Sequence, residues 1–265
     1  MRKQLLSFLF ALAVTVGVSV SAFGQFNGCP AGFCNQASAG GGGGGAATFT
    51  PGSSVAIKAN GFTPGTVTFT GLNGGTNYPN GAVVLVGVIQ DQNAATLTSP
   101  QIGGNASSIV TGSQDSSTKC TLYQATMSGS SADTFSFTNG AAINNVGAAA
   151  GYFTNLVSST RDAAGNETFG NQADNQWLSA HPTGITVNSS GFGVAIVAKI
   201  SGGAQPTAVT WTNTTSGSGD TFANLATQMT LSLAHTATAG GWDPQAAGVT
   251  NNMNFAACMS AATYH

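Results

Sequence analysis

The chain has 265 residues, of which only 5% are charged and 42% are hydrophobic, and its formal net charge is −2. That balance excludes charge-driven disorder, which combines high charge with low hydrophobicity. Beyond the first residues the cations are Lys58, Lys119, Arg161 and Lys199, widely scattered, so the clustered basic footprint of a nucleic-acid binder is not present.

Residues 1–24 read as a secretory signal peptide. Arg2 and Lys3 are the charged start, Leu5 to Val20 the apolar run, and Ala22-Phe23-Gly24 the small residues of a cleavage site. The run is shorter than the ~20 apolar residues of a membrane span, so no stable span is expected once the signal is removed. The expected location is outside the cell, at its surface. Residues 25–47 read as an arm holding Cys29-Pro-Ala-Gly-Phe-Cys34 and then the glycines 40–45, a flexible tether. No Lys-Ser/Thr follows those glycines, which sets a phosphate-cradling loop aside.

Residues 48–265 read as all-β. Pro51-Gly52 and Pro64-Gly65 punctuate the entry to the first strands. Strand-like runs then recur over 66–72, 82–90, 107–111, 118–127, 134–138, 141–157, 184–188, 192–201, 207–213, 228–237 and 252–264, with Asn-Gly and Gly-Gly corners between them. Their spacing predicts a single β-sandwich or jelly roll of about ten antiparallel strands. Ala82 to Ile89 and Gly191 to Ile200 are apolar on both faces and belong in the middle of packed sheets. Gly147 and Gly151, inside one long run, suggest a bulge or a break. Along Gln228 to Ala237, Met229, Leu231 and Leu233 face inward and Thr230, Ser232 and Thr236 outward. His235 shares the inward phase and is expected at the core edge, tied to a backbone carbonyl.

The apolar strand Gly81–Ile89, a TLTSPQIGG-NASSIV hairpin, the run CTLYQATMSGSSADTFSFTNG, a loop around Asp162 to Asn166 and a paired GITVNSSGFGVAIVAKI hairpin follow in order. In this pattern of strands and turns, over roughly residues 67–262, the chain resembles β-sandwich domains of phage virion proteins and bacterial surface proteins. The resemblance implies a structural or adhesive role and carries no catalytic set. The secretion signal departs from a virion protein assembled in the cytoplasm and favours a bacterial surface.

Four cysteines in an exported chain fit two disulfides, with three connectivities possible. The expected pairs are Cys29 with Cys34, across a tight turn, and Cys120 with Cys258, which joins an early core strand to the last one. A zinc site is the rival reading, without a Cys-x-x-Cys or a neighbouring histidine to support it.

The polar stretch Arg161 to His181 reads as a loop. Asp162, Asn166, Glu167 and Asp174 gather there the carboxylate and amide oxygens that a hard cation prefers, which makes Ca2+ the candidate cofactor. Trp177, Trp242 and Tyr78 lie in loops beside amides and are the candidate sugar-stacking rings, the alternative being that they cover the sandwich ends. Catalysis finds no nucleophile elbow, and although Asp162 and Glu167 could serve as a carboxylate pair, nothing in the sequence sets their separation. The expected function is therefore a secreted, non-catalytic structural or adhesive subunit, its partner a second copy joined through the arm. A carbohydrate-binding module with a glycan partner is the alternative, and a secreted hydrolase the second.

Overall fold

The computed structural model describes residues 46–62, 64–91, 97–114, 118–140, 143–172, 185–200, 206–225, 229–249 and 255–265. These residues form eighteen strands and no helix. The first nine are β1 (Thr48–Phe62), β2 (Gly65–Thr70), β3 (Val83–Asp91), β4 (Leu97–Ile102), β5 (Asn105–Ala106), β6 (Ser108–Gln114), β7 (Thr118–Thr126), β8 (Thr134–Asn139) and β9 (Ile143–Thr154). They make one five-stranded antiparallel sheet, β1-β9-β3-β7-β6, and one four-stranded sheet, β2-β8-β4-β5. The second nine are β10 (Ala163–Gln172), β11 (Thr186–Val187), β12 (Phe192–Ile200), β13 (Ala208–Thr212), β14 (Thr221–Leu225), β15 (Met229–Thr236), β16 (Gly240–Gly241), β17 (Gln245–Val249) and β18 (Phe255–Tyr264). They make a second five-stranded sheet, β10-β18-β12-β15-β14, and the pairs β11-β16 and β13-β17.

The two halves share one plan. Replacing β1, β9, β3, β7 and β6 by β10, β18, β12, β15 and β14 converts one large sheet into the other. The outer strands follow the same rule, since β2-β8 and β8-β4 correspond to β11-β16 and β17-β13. The continuous β8 of the first half is matched by two separate pieces, β16 and β17, in the second.

Side-chain alternation places the cores. Val84, Val86 and Val88 of β3 pack with Val67, Phe69, Phe135 and Phe137 of the four-stranded sheet. Val83, Leu85 and Ile89 point the other way and meet Val194, Ile196 and Ala198 of β12 with Met229, Leu231 and Leu233 of β15. The far face of β12, Ala195 and Val197, packs with Val209, Trp211 and Trp242 under the two small sheets. The described residues thus stack in four layers around three cores, and both central strands, β3 and β12, are covered on each face. That is the arrangement a doubly apolar strand requires. The large sheets meet face to face, β1 against β14, β6 against β10, β7 against β18 and β9 against β15. Exchanging equivalent strands maps these contacts onto one another, so the seam has pseudo-two-fold character.

Several expectations are corrected. The single sandwich of about ten strands is replaced by two sheet-pair halves with a third core between them, because strand spacing does not report how many sheets cover a strand. Residues 48–62 are a strand despite Pro51, which sits on the edge strand β1 at a register shift between Pro51 and Val55. Residues 163–172, expected within a loop, form β10, paired along β18. The expected hairpin over residues 184–200 does not form, since β11 pairs with β16 while β12 pairs with β15 and β18. Gly147 and Gly151 do not break β9, whose register with β3 is continuous, and the irregularity expected there is met on its other side, where the pairing with β1 shifts between Gly151 and Ala149. They make room at the seam, where a Cβ at 147 would crowd Ile89 and Met229 and one at 151 would strike the Phe49 ring. The polar phase of β15 is not solvated either, for Thr230, Ser232 and Thr236 are all buried. Ser232 Oγ accepts from Trp211 Nε1 and donates to Thr221 O, both at 2.9 Å, so its burial leaves no polar atom unpaired.

Candidate functional site

The disulfide Cys120–Cys258 links β7 to β18, with a Cα–Cα distance of 5.8 Å, and both residues are fully buried. It therefore crosses the seam and fastens one half to the other. Cys29 and Cys34 lie outside the described residues. Hydrogen bonds run across the same seam. Tyr264 donates its hydroxyl to Gln124 Oε1 at 2.7 Å, Ser260 Oγ donates to Cys120 O at 3.3 Å, and Asn166 Nδ2 donates to Thr111 Oγ1 at 3.0 Å.

At one end of the seam lies a ring cluster. Phe153 packs against Phe49 at 4.9 Å, Tyr264 at 5.1 Å and Phe192 at 5.7 Å between centroids. The His235 ring adds to it, 4.8 Å from Phe49. His235 Nδ1 meets the Asp220 carboxylate oxygens at 2.7 and 2.9 Å. The partner expected for His235, a backbone carbonyl, is thus corrected to a carboxylate from the strand-entry residue before β14. Asp220 is itself held by its N–H, which donates to Leu233 O at 2.8 Å. Sequence reading missed Asp220 because a partner fifteen residues away is brought near only by the β14–β15 pairing.

Of the candidate calcium residues, Asp162 and Asn166 turn to different partners. Asp162 precedes β10, where its carboxylate accepts from Asn188 Nδ2 at 3.1 Å and is bonded to His265 Nδ1. Asn166 reaches instead to Thr111 of the other half. Glu167 follows Asn166 on β10, opposite Met259, and an extended chain holds residues four apart on the order of 13 Å from one another. Asp174 lies outside the described residues. Among the described residues no group of three or more His, Cys, Asp or Glu side chains is placed to hold a metal ion.

The stacking-ring assignment is corrected at two of its three positions. Tyr78 and Trp242 are only 1% and 5% exposed, so neither offers a face to a sugar. Their polar atoms are used internally. Trp242 Nε1 donates to Asn213 O at 2.7 Å while its ring lies over Gly193, where any Cβ would strike it. Tyr78 donates its hydroxyl to Asp133 Oδ1 at 3.1 Å. Trp177 lies outside the described residues. Asp133, which the sequence did not mark, anchors the 71–78 turn, its Oδ2 accepting from Asn73 N at 2.7 Å and Gly75 N at 2.9 Å. Burial pushes the Tyr78 phenol far above its ordinary value, and the Asp133 charge pushes it further. Burial raises Tyr264 likewise and lifts Tyr123 to about 12.

The interior chemistry is thus that of fastening: a disulfide, carboxylates that take several donors, and rings packed at tilted angles. The exposed faces belong to the outer sheets. On the outermost layer of the first half, β2 and β8 bring Thr66, Thr68 and Thr70 opposite Thr138, Ser136 and Thr134. No family model, no curated protein and no solved structure matches this chain.

Proposed function

We propose that the chain is a tandem pair of jelly rolls serving as a secreted, non-catalytic structural or adhesive subunit of a bacterial surface or fibre. The observation that carries this reading is the seam. Two large sheets of the same strand order cover each other and are bolted by Cys120–Cys258. Such a unit resists distortion, because sliding one half over the other must break a covalent bond and repack a core at crystal-like density. The assignment to jelly rolls rests on strand order: β1-β9-β3-β7 faces β2-β8-β4-β5 in the first half, as in the eight-stranded double Greek key. The low charge supports contact with neighbours, since neutral hydroxyls and amides are buried at lower cost than ions. In this reading residues 25–47 link one copy to the next, by strand addition or through Cys29 and Cys34.

The test is assembly of the exported chain. Light scattering after size exclusion, with electron microscopy, is expected to show oligomers or filaments that shorten when residues 25–47 are removed. A strictly monomeric chain at high concentration with those residues present overturns the linking role. The carbohydrate-binding alternative loses two of its three rings to burial.

A further inference from the structure

We propose that the exposed face of the four-stranded sheet binds ice. Between Thr66, Thr68 and Thr70 lie Val67 and Phe69, and between Thr134, Ser136 and Thr138 lie Phe135 and Phe137, all four of them buried. Alternation therefore turns the six hydroxyl residues to the open side. They stand in three pairs, Thr66 with Thr138, Thr68 with Ser136 and Thr70 with Thr134. The pairs repeat at about 4.8 Å across the strands and about 6.8 Å along them. Those repeats lie close to the oxygen spacings on the faces of hexagonal ice. None of the six hydroxyls has a hydrogen-bond partner among the described residues. Thr98 on the neighbouring β4, by contrast, spends its hydroxyl on Thr138 O at 3.0 Å.

Threonine favours strands through its branched side chain, and that alone places it on outward faces. It does not explain hydroxyls at all six positions in register on two strands. Nor does it explain the second half, where the strands equivalent to β2 and the first part of β8 pair Thr186-Val187 with Gly240-Gly241. The size and charge of the face choose the occupant. Six-residue strands three abreast present roughly 300 Å², well below the ~800 Å² that each side of a stable protein complex buries. The six residues carry no charge, and the one ammonium beside them, Lys58 Nζ, is engaged by Thr68 O and the Phe69 ring, so a charged polymer finds little complement, and there is no ring among the six on which a sugar could stack. A rigid, neutral lattice of water matches both the hydroxyl dipoles and the methyls between them. In the five threonines branching at Cβ already restricts χ1, so little side-chain freedom is lost on contact.

The inference does not depend on whether the chain assembles. Its test is incorporation of the full chain into slowly growing ice and inhibition of ice recrystallisation, compared with Thr68→Lys and with Thr210→Lys, which lies exposed on β13 of the other half. Wild type and Thr210→Lys are expected to enter the ice and Thr68→Lys to be excluded, with melting temperatures unchanged. Should Thr68→Lys lower the melting temperature, Thr66→Lys at the strand end takes its place. Exclusion of the wild type, or equal entry of all variants, overturns the proposal. Retention on an insoluble polysaccharide without entry into ice overturns it too, as does self-association that Thr68→Lys abolishes.

Discussion

The two halves of this molecule agree where they touch and differ where they do not. Their large sheets have the same strand order, and the faces that meet are built from the same kinds of residue: small ones at Ala149, Ala198 and Ala262, branched ones at Leu85, Ile196 and Leu231. Their outer layers have diverged. The first half keeps a continuous four-stranded sheet over a phenylalanine core, whereas the second divides the equivalent strands into two small sheets over Trp211 and Trp242. A sheet buried on both faces answers to two partners at once, and a change that suits one can clash with the other. An outer sheet answers to one. The difference teaches that the seam holds the architecture while the outer layers are where a new contact can be acquired.

Severing the seam should have the largest effect. Cys120→Ala with Cys258→Ala opens a link spanning 138 residues, and the chain-entropy model puts the loss at about 5 kcal/mol. Denaturant titration of the oxidised chain and the double variant reads it. A loss below about 1 kcal/mol would show that the halves hold together without the bond. Next come matched truncations. Phe153→Ala in the seam and Phe135→Ala in the outer core of the first half should each cost about 3–5 kcal/mol. If the halves form one cooperative unit, both move a single transition. If only Phe135→Ala splits the curve, the first half unfolds alone and the comparison must be redrawn. A smaller effect is expected from Gly87→Val, whose Cβ would collide with Ile196 Cγ2 across the seam. Overpacking of this kind costs about 1–3 kcal/mol, read as a lower melting temperature that Ile196→Ala partly restores.

The gentlest probe is pH. Burial lifts the Tyr123 phenol from 10.0 to about 12. A folded value above the unfolded one means that the native state holds the proton more tightly. The stability this contributes is complete below about pH 10 and drains away as pH rises toward 12. The slope is at most about 1.4 kcal/mol per pH unit for each such tyrosine. Denaturation midpoints between about pH 9 and pH 11 should fall for the wild type and fall less steeply for Tyr123→Phe. Equal slopes would place Tyr123 in water rather than in the first-half core.

Much of the layering was legible in the residues, and the reason is chemical. Val83 to Ile89 and Phe192 to Ile200 are apolar at both phases of a period-two pattern, and only a strand covered twice can afford that. Both lie at the centre of a large sheet. Cys120 and Cys258, one of the two pairs expected from four cysteines, are joined. What hid was whatever depends on a distant partner. β10 carries Asn166, Glu167 and Gln172 and resembles a loop until β18 supplies a ladder beside it. Ser232 looks solvated until Trp211 covers it. Tyr78 and Trp242 sit among turn residues, yet their rings close the ends of cores, and nothing nearby in sequence says which way a loop aromatic turns. The repetition of strand order was invisible for the same reason: it lives in hydrogen-bond partners, and AVVLVGVI and GFGVAIVAKI share apolarity without sharing an alignment.

Because Cys258 is carried by β18, the last of the described strands in chain order, and Cys120 by β7, the two sulfurs become neighbours only once β18 has slotted between β10 and β12. Oxidation at this position is accordingly a seal applied to a finished object. A chain stalled with β18 unpaired would still display both thiols, and a simple alkylation count would distinguish the completed molecule from the incomplete one.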